Sequence, residues 1–174
     1  MAIQIRLIPV DEFVKLVPAL TALLVDTVHG GASLGFLPSV TSDEVRSYWL
    51  SLCPELRERT RVLVGAFSDG RIVGSGQLAL ASFPNARHRA ELQKLFVDST
   101  LRGQGVGRRL VSALHAAARQ RGRSLVLLNT RRGGPAEQFY KGLGYKAVGV
   151  VPGYYVGPAG ERIDNIALYQ ELSG

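Results

Sequence analysis

The stretch Arg89–Arg121 reads RAELQKLFVDSTLRGQGVGRRLVSALHAAARQR and predicts a strand, a glycine-rich turn and a helix in direct succession. Apolar residues dominate Leu92–Val97, whereas Arg102–Arg109 contains three glycines and three arginines. A helix begins with unpaired backbone N–H groups and the positive end of its dipole. Glycines let a ligand approach that backbone because they have no Cβ atom. The stretch therefore predicts a binding site for a phosphate or pyrophosphate.

Three phosphate-binding patterns can be compared with this turn. A P-loop requires Lys directly after its last glycine, and none of these glycines precedes a Lys. A dinucleotide-binding turn needs a third glycine where this chain has Arg108, and an acidic residue roughly 20 residues later, where it has Leu125–Leu128. The third pattern, R-x-x-G-x-G, is matched by Arg102, Gly105 and Gly107. We favour this third pattern.

Length and composition predict one globular domain spanning residues 1–174. The chain has 174 residues, of which 46% are apolar, enough to bury a sizeable core. No apolar run is long enough to span a membrane, and Met1–Pro9 alternates like a strand rather than resembling a signal peptide. Cys53 is the single cysteine, so no internal disulfide can form. We expect a reducing, cytoplasmic location.

The formal net charge of +7 indicates an anionic partner. Nucleic acid is one class of partner, and a small polyphosphate ligand is the other. The arginines are spread along the chain, and we find no zinc-finger spacing, basic zipper or aromatic-rich RNA-binding motif. We favour the small ligand and keep nucleic acid as the lesser alternative.

The first half of the chain predicts a strand, helices and a hairpin. Ile3, Ile5 and Leu7 alternate with polar residues, as in a strand. Asp11 is expected to cap a helix that runs to about Thr27, which Pro18 should break or kink. A glycine-rich loop, His29–Pro38, follows. Further on we expect a capping box at Thr41 and Glu44 and a hairpin turn at Ser68–Arg71, followed by the strand that enters the glycine turn.

The second half predicts two helices and three strands. The helix after the glycine turn ends at Gly122, and Leu125–Leu128 is apolar throughout, as in a strand buried on both faces. Pro135 suits the first turn of a helix that Gly144 ends. Two closing strands, about 146–151 and 163–172, are expected to flank a loop containing Pro152–Tyr155.

A second motif carries a resemblance to a known family. The segment Ala136–Tyr145, AEQFYKGLGY, resembles the A-x-x-F-Y-x-x-x-G-[FY] signature of the GNAT superfamily of N-acetyltransferases. The R-x-x-G-x-G turn upstream resembles that superfamily's pyrophosphate loop for acetyl-CoA. Thr27–Phe36, the RAE-x-QKL segment at Arg89–Leu95 and the PGY at Pro152–Tyr154 are similar to the tabtoxin-resistance acetyltransferase branch.

The resemblance implies an α/β (α+β) fold of the GNAT type. Its sheet is mixed and mostly antiparallel, with about six to seven strands and about four flanking helices. The implied activity is N-acetyl transfer from acetyl-CoA to an amine of a small molecule, such as an antibiotic- or toxin-like compound. The amine attacks directly within a ternary complex, and no metal is involved.

The resemblance also assigns roles to particular residues. Such a reaction needs a base for the acceptor ammonium, donors for the thioester oxygen and an acid for the leaving thiolate. Glu91 is implied as the base and Tyr140 as the acid. The residues expected to bind acetyl-CoA are Leu95, Phe96, Val97, Arg102, Gly103, Gln104, Gly105, Val106, Gly107, Arg108 and Asn129. The residues expected to bind the acceptor are His29, Ser33, Phe36 and Tyr154.

One departure from the branch leaves the acceptor open. The tabtoxin-resistance enzyme has an Asp, proposed as a second base, where this chain has Asn129, and an amide cannot take up a proton. The alternatives are an acetyltransferase of protein amines and a non-catalytic sensor of acetyl-CoA. We expect no membrane partner, and a homodimer stays open.

Overall fold

The computed structural model describes residues 2–172 and contains a seven-stranded sheet with helices on both faces. The strands are β1 (Ile3–Leu7), β2 (Arg61–Ser68), β3 (Arg71–Leu80), β4 (Arg89–Val97), β5 (Leu125–Arg131), β6 (Lys146–Val156) and β7 (Arg162–Glu171). The helices are α1 (Val10–His29), α2 (Ser42–Ser51), the short α3 (Cys53–Arg57), α4 (Val106–Gln120) and α5 (Pro135–Lys141). The strand order is β1-β2-β3-β4-β5-β7-β6, and only β4 and β5 run parallel. The predicted mixed, mostly antiparallel sheet is confirmed.

Each face of the sheet has its own apolar core. Helix α4 buries Leu110 and Leu114 against one face, together with Leu78 of β3. Helices α1 and α2 cover the other face with Phe13 and Trp49, both fully buried. Removal of these side chains from water is the main favourable term in folding. No helix within residues 2–172 combines the length and the apolarity that crossing a membrane requires.

Strands β4 and β5 pair only over their first three residues. Arg89–Glu91 lie opposite Leu125–Leu127, and no further pairs follow before β4 ends at Val97. A β-bulge also shifts the register of β3 against β4 between Ser75 and Gln77, and there Lys94 takes the left-handed φ of 48°. Bulges bend a strand and are frequent beside active sites. The sheet therefore opens a wedge between two parallel strands.

Three predictions based on neighbouring residues are confirmed. The Thr41 side chain accepts from the backbone N–H of Glu44, whose carboxylate accepts from the Thr41 N–H, forming the predicted capping box. Asp69 and Gly70 both have positive φ in the tight turn between β2 and β3. Pro135 occupies the first turn of α5.

Two parts of the prediction for the first helix were wrong, the break at Pro18 and the cap at Asp11. Helix α1 continues through Pro18 instead of dividing into two, and the residue at its N-cap is Pro9 rather than Asp11. Proline removes one backbone hydrogen bond, but Phe13 and Leu20 on either side of it are fully buried in the same core. This shared burial stabilises one continuous helix despite the missing bond. Asp11 lies in the first turn, where a carboxylate still favours the helix dipole.

Two predictions in the second half also need correction. Val126 and Leu128 are buried, but Leu125 and Leu127 are only half-buried, so β5 is not fully buried on both faces. Pro152–Tyr155 lies within β6 rather than in a loop, with an irregular register against β7 between Val151 and Tyr155. Strand pairing with β7 extends β6 past a proline and a glycine that locally favour a turn.

Candidate active site

A cleft of about 680 Å³ opens at the carboxyl end of β4. It lies between the glycine turn, the first turns of α4 and α5, and the loop that follows α1. Its walls include Leu95, Phe96, Val97, Arg102, Gly103, Gly105, Val106, Gly107, Arg108, Pro135, Ala136 and Phe139, with Thr27 and residues 30–32 opposite. All the residues predicted to bind acetyl-CoA line this cleft except Gln104 and Asn129. The Gln104 side chain donates instead to the carbonyl of Thr100.

Successive backbone donors form the floor of this first cleft. Within residues 2–172, the N–H groups of Gly103 through Arg108 have no protein acceptor, since the first helical bond of α4 is donated by Arg109 to Gly105. Gly105 is the N-cap in the left-handed conformation (φ 78°), with open space where a Cβ would point. Arg102 and Arg108 add positive charge at the rim. Such a row of donors at a helix N-terminus binds phosphate groups.

Two residues of the turn have packing roles. A Cβ on Gly107 would lie 3.3 Å from the Phe139 ring, so glycine there lets α5 pack closely on α4. The Arg109 guanidinium donates to the carbonyl of Ile3 at 2.6 Å and so anchors β1 instead of facing the cleft. The positive charge of the first cleft therefore comes from Arg102, Arg108 and the dipole of α4.

A second cleft, of about 370 Å³, lies beside the paired ends of β4 and β5. Glu91 and Asn129 line it together with Leu127 and residues of β3 and the loop after it. Asn129 thus lies beside the predicted base rather than in the first cleft. Glu91 is half-buried on β4, four residues before the Leu95 that lines the first cleft. The two clefts therefore adjoin one strand, where a donor and an acceptor could meet.

Hydrogen bonds fix the orientation of Asn129. Its Oδ1 accepts from Nδ2 of Asn165 at 2.8 Å, and Oδ1 of Asn165 accepts from the Tyr155 hydroxyl at 3.1 Å. Asn165 is 1% exposed. Burial raises the pKa of Tyr155 to about 12, and the nearby Tyr154 and Glu91 add to the rise. Tyr155 is therefore a neutral hydrogen-bond donor, and Asn129 keeps its own N–H groups for the second cleft.

Tyr140, the predicted acid, is buried in the core beneath α5. It lines neither cleft, is 7% exposed, and contacts the rings of Phe139 and Tyr145. In the part of the chain described, its hydroxyl has no hydrogen-bond partner. Burial raises the pKa of Tyr140 well above its usual value, so the phenol stays protonated at neutral pH.

The residues predicted to bind the acceptor lie outside both clefts. His29 places its Nε2 3.3 Å from the carbonyl of Val40, across the base of the glycine-rich loop. Ser33 is exposed, and Tyr154 is exposed on β6 with its ring against Tyr155. Phe36 packs edge-on against Tyr48, with ring centroids 5.6 Å apart. None of these four residues therefore contributes to the wall of either cleft.

Sequence reasoning missed three polar residues near the site, Lys94, Tyr155 and Asn165. Lys94 belongs to the RAE-x-QKL segment, but only the bulge shows where its side chain lies. Tyr155 stood in an expected loop. Asn165 interrupts the apolar pattern of the last strand, and a buried polar residue is the kind of signal that could have identified it.

Comparisons with known proteins agree with this geometry. The family model described as Acetyltransferase (GNAT) family matches residues 32–145. A ribosomal-protein-alanine N-acetyltransferase from Brucella melitensis is similar over 97% of this chain and 99% of its own, with 24% identity and a TM-score of 0.79. An N-acetyltransferase from Staphylococcus aureus Mu50 is 16% identical over 99% of this chain and 100% of its own, with a TM-score of 0.79. A Salmonella typhimurium protein described as an acetyltransferase with its cofactor acetyl-CoA is 19% identical over 100% of this chain and 96% of its own, with a TM-score of 0.78. At these identities the structures show a shared fold.

Proposed function

The chain belongs to the GNAT family of acetyltransferases, and from that premise we propose that it transfers an acetyl group from acetyl-CoA to the amine of a small molecule. The observation that carries the proposal is the row of unpaired backbone N–H groups from Gly103 to Arg108 at the first cleft. A pyrophosphate matches these donors in charge and hydrogen bonding. The limited volume of the second cleft, about 370 Å³, supports a small acceptor.

The wedge between β4 and β5 supports a site for the rest of acetyl-CoA. Beyond Glu91, the edge of β4 no longer pairs with β5, so its backbone groups there are available to a ligand. Leu95, Phe96 and Val97 on that stretch would hold the pantetheine arm and donate to the thioester oxygen. Acetyl-CoA supplies an activated acyl group. The bulge at Lys94 changes the direction in which the backbone groups of these residues point.

Glu91 and Tyr140 perform the proton transfers in this proposal. Glu91 accepts a proton from the acceptor ammonium, so that the nitrogen lone pair can attack the carbonyl carbon. As the carbon–sulfur bond breaks, Tyr140 donates its phenolic proton to the sulfur. The attacking nitrogen loses its second proton, which restores the Tyr140 phenol, and Glu91 releases the first proton to solvent. Burial raises the pKa of Tyr140, which keeps the phenol protonated at neutral pH but makes it a weaker acid, so the transfer requires the sulfur to come within hydrogen-bond distance of this hydroxyl. Asn129, whose Oδ1 is occupied by Asn165, donates a hydrogen bond beside Glu91 and does not act as a base.

Membership of the tabtoxin-resistance branch is part of the proposal. It rests on the glycine-rich loop at Thr27–Phe36 and the Pro152–Tyr154 segment. Because Asn129 replaces the branch's Asp, we propose that Glu91 is the sole base and leave the acceptor free of any named toxin.

Calorimetric titration with acetyl-CoA tests the binding site directly. Gly105→Glu puts a carboxylate against the row of N–H donors and should abolish binding by repulsion and steric conflict. Gly122→Glu is the matched control, because Gly122 also has positive φ and open space at its Cβ, but lies beyond the other end of α4. Loss of binding in both variants, or in neither, contradicts the proposed site.

Glu91→Gln separates an enzyme from a sensor. In the proposed enzyme, this change should leave the affinity for acetyl-CoA near that of the wild type and lower turnover by about 10²-fold or more. Unchanged turnover would remove Glu91 from the mechanism. If the wild type binds acetyl-CoA but transfers no acetyl group to any amine, the chain is a sensor.

A further inference from the structure

Lys94 is a half-buried cation that lies on the same strand as the proposed base. It stands at the bulge of β4 with a φ of 48°, a conformation that costs energy for any residue other than glycine. Its Nζ lies 5.1 Å from the ring centroid of Tyr48 and 5.5 Å from that of Phe36. Strained, non-glycine backbone of this kind clusters at functional sites.

The aromatic rings stabilise the charge of Lys94 without using its hydrogen-bond donors. Within residues 2–172, no carboxylate oxygen lies within 4.0 Å of its Nζ. Burial lowers the pKa of Lys94, with nearby Arg61 adding to the effect and Glu91 opposing it. Cation–π contacts act through the ring faces, so the three N–H donors stay available. Among the described residues, Lys94 therefore has no anionic partner, and its N–H groups can donate to an anion.

The charged residues near Lys94 do not supply this anion, so it would have to come from a ligand. Arg61 is already paired with Glu55 at 2.9 Å and also donates to Gln77 and Gln93. Glu91 raises the pKa of Lys94 by charge but forms no ion pair with it, and in the proposed mechanism it serves the acceptor's ammonium. A Cβ on Gly35 would lie 2.9 Å from the Lys94 Nζ, so glycine at this position lets the loop after α1 pass close to the ammonium.

We propose that Lys94 binds a carboxylate, or a comparable anionic group, carried by the acceptor amine. This inference rests on the proposed function, since it assigns the two ends of one acceptor to two residues of β4. Glu91 attracts the ammonium end, and Lys94 attracts the anionic end. Residues three apart on a strand have Cα atoms about 10 Å apart, and two long side chains can shorten that span to fit a small molecule. The acceptor class is thus a compact amino acid.

Matched pairs of acceptors test this inference. Acetylation of β-alanine, γ-aminobutyrate and L-methionine is measured beside that of their carboxamides, which keep the amine and lose the charge. The wild type should favour at least one carboxylate by about tenfold to hundredfold in kcat/KM, the range of a charge-assisted hydrogen bond. Lys94→Met should reduce the preference to near one, mainly through KM of the acceptor. Lys94→Arg should retain part of it, and the exposed Lys15→Met is the control.

A binding measurement separates this inference from the proposed function. The 13Cε resonance of Lys94, identified by its absence in Lys94→Met, is followed as the same compounds are added. A shift with a carboxylate but not with its carboxamide supports the inference, even where no acetyl transfer is seen. No shift with any carboxylate, or equal acetylation of acids and amides, overturns it. Failure of the proposed function is recognised separately, by absent acetyl-CoA binding or by absent transfer to every amine.

Discussion

Asn165 donates its side-chain N–H to Oδ1 of Asn129 at 2.8 Å, across the pairing of β7 with β5. The same buried residue accepts the Tyr155 hydroxyl from β6. Three strands are thus connected by one chain of hydrogen bonds that ends at the second cleft, beside Glu91. The chain of bonds orients Asn129 with its donors toward the cleft.

We expect Asn165→Ala to impair both stability and turnover. It removes the hydrogen bonds to the half-buried Tyr155 hydroxyl and to the exposed Asn129, and each such bond contributes about 0.5–1.5 kcal/mol. Asn129 would then rotate freely, so kcat should fall while acetyl-CoA affinity stays unchanged, because the first cleft is untouched. Urea unfolding, steady-state kinetics and calorimetry measure the three quantities. The exposed Asn85→Ala serves as the control, and an Asn165→Ala protein with wild-type kcat would show that the chain of bonds has no catalytic role.

Tyr140 and Tyr145 form a matched pair for testing the proposed acid. Within the described chain, the Tyr140 hydroxyl has no partner, whereas that of Tyr145 bonds to Nε2 of His115 at 2.8 Å. Tyr140→Phe should therefore change stability little and lower kcat by about tenfold or more, as expected for loss of an acid. Tyr145→Phe should instead lower stability by about 1–3 kcal/mol with a smaller effect on kcat. The reverse pattern would exclude Tyr140 as the proton donor.

The features that could be predicted from the sequence are those that depend only on residues close together in the chain. The capping box of Thr41 and Glu44 and the Asp69–Gly70 turn depend on a few adjacent positions, so their chemistry can be read from the chain. The wedge after Glu91 and the bulge at Lys94 depend on how separate strands pair, which no local pattern records. Motif spacing located the first cleft because its donors come from one continuous turn. The second cleft draws on β3, β4 and β5, and so only Glu91 and Asn129 among its lining residues were predicted as site residues.

Pro18 shows how burial can override a local preference, and it gives a stability prediction. Pro18→Ala restores a backbone donor inside the continuous helix α1 and removes the proline ring from its interior. Proline is about 3 kcal/mol less favourable than alanine inside a helix, so the variant should be more stable by about 1–3 kcal/mol. Pro135→Ala is the matched control, because in the first turn of α5 proline displaces no helical bond. Both are compared by urea unfolding, and equal effects would contradict the argument.

His115 should make stability depend on pH between about 4 and 6.5. Burial, with a smaller effect of Arg119, lowers the pKa of His115 to about 4 in the folded protein. In the unfolded chain the histidine pKa is about 6.5, so in this range the unfolded state binds more protons. Stability is therefore lost as the pH falls through the window, by up to roughly 3 kcal/mol, and this residue has no effect above it. Urea unfolding across the window should show a weaker pH dependence for His115→Gln than for wild type, whereas the exposed His88→Gln should follow wild type. Parallel curves for wild type and His115→Gln would mean that other groups control acid unfolding.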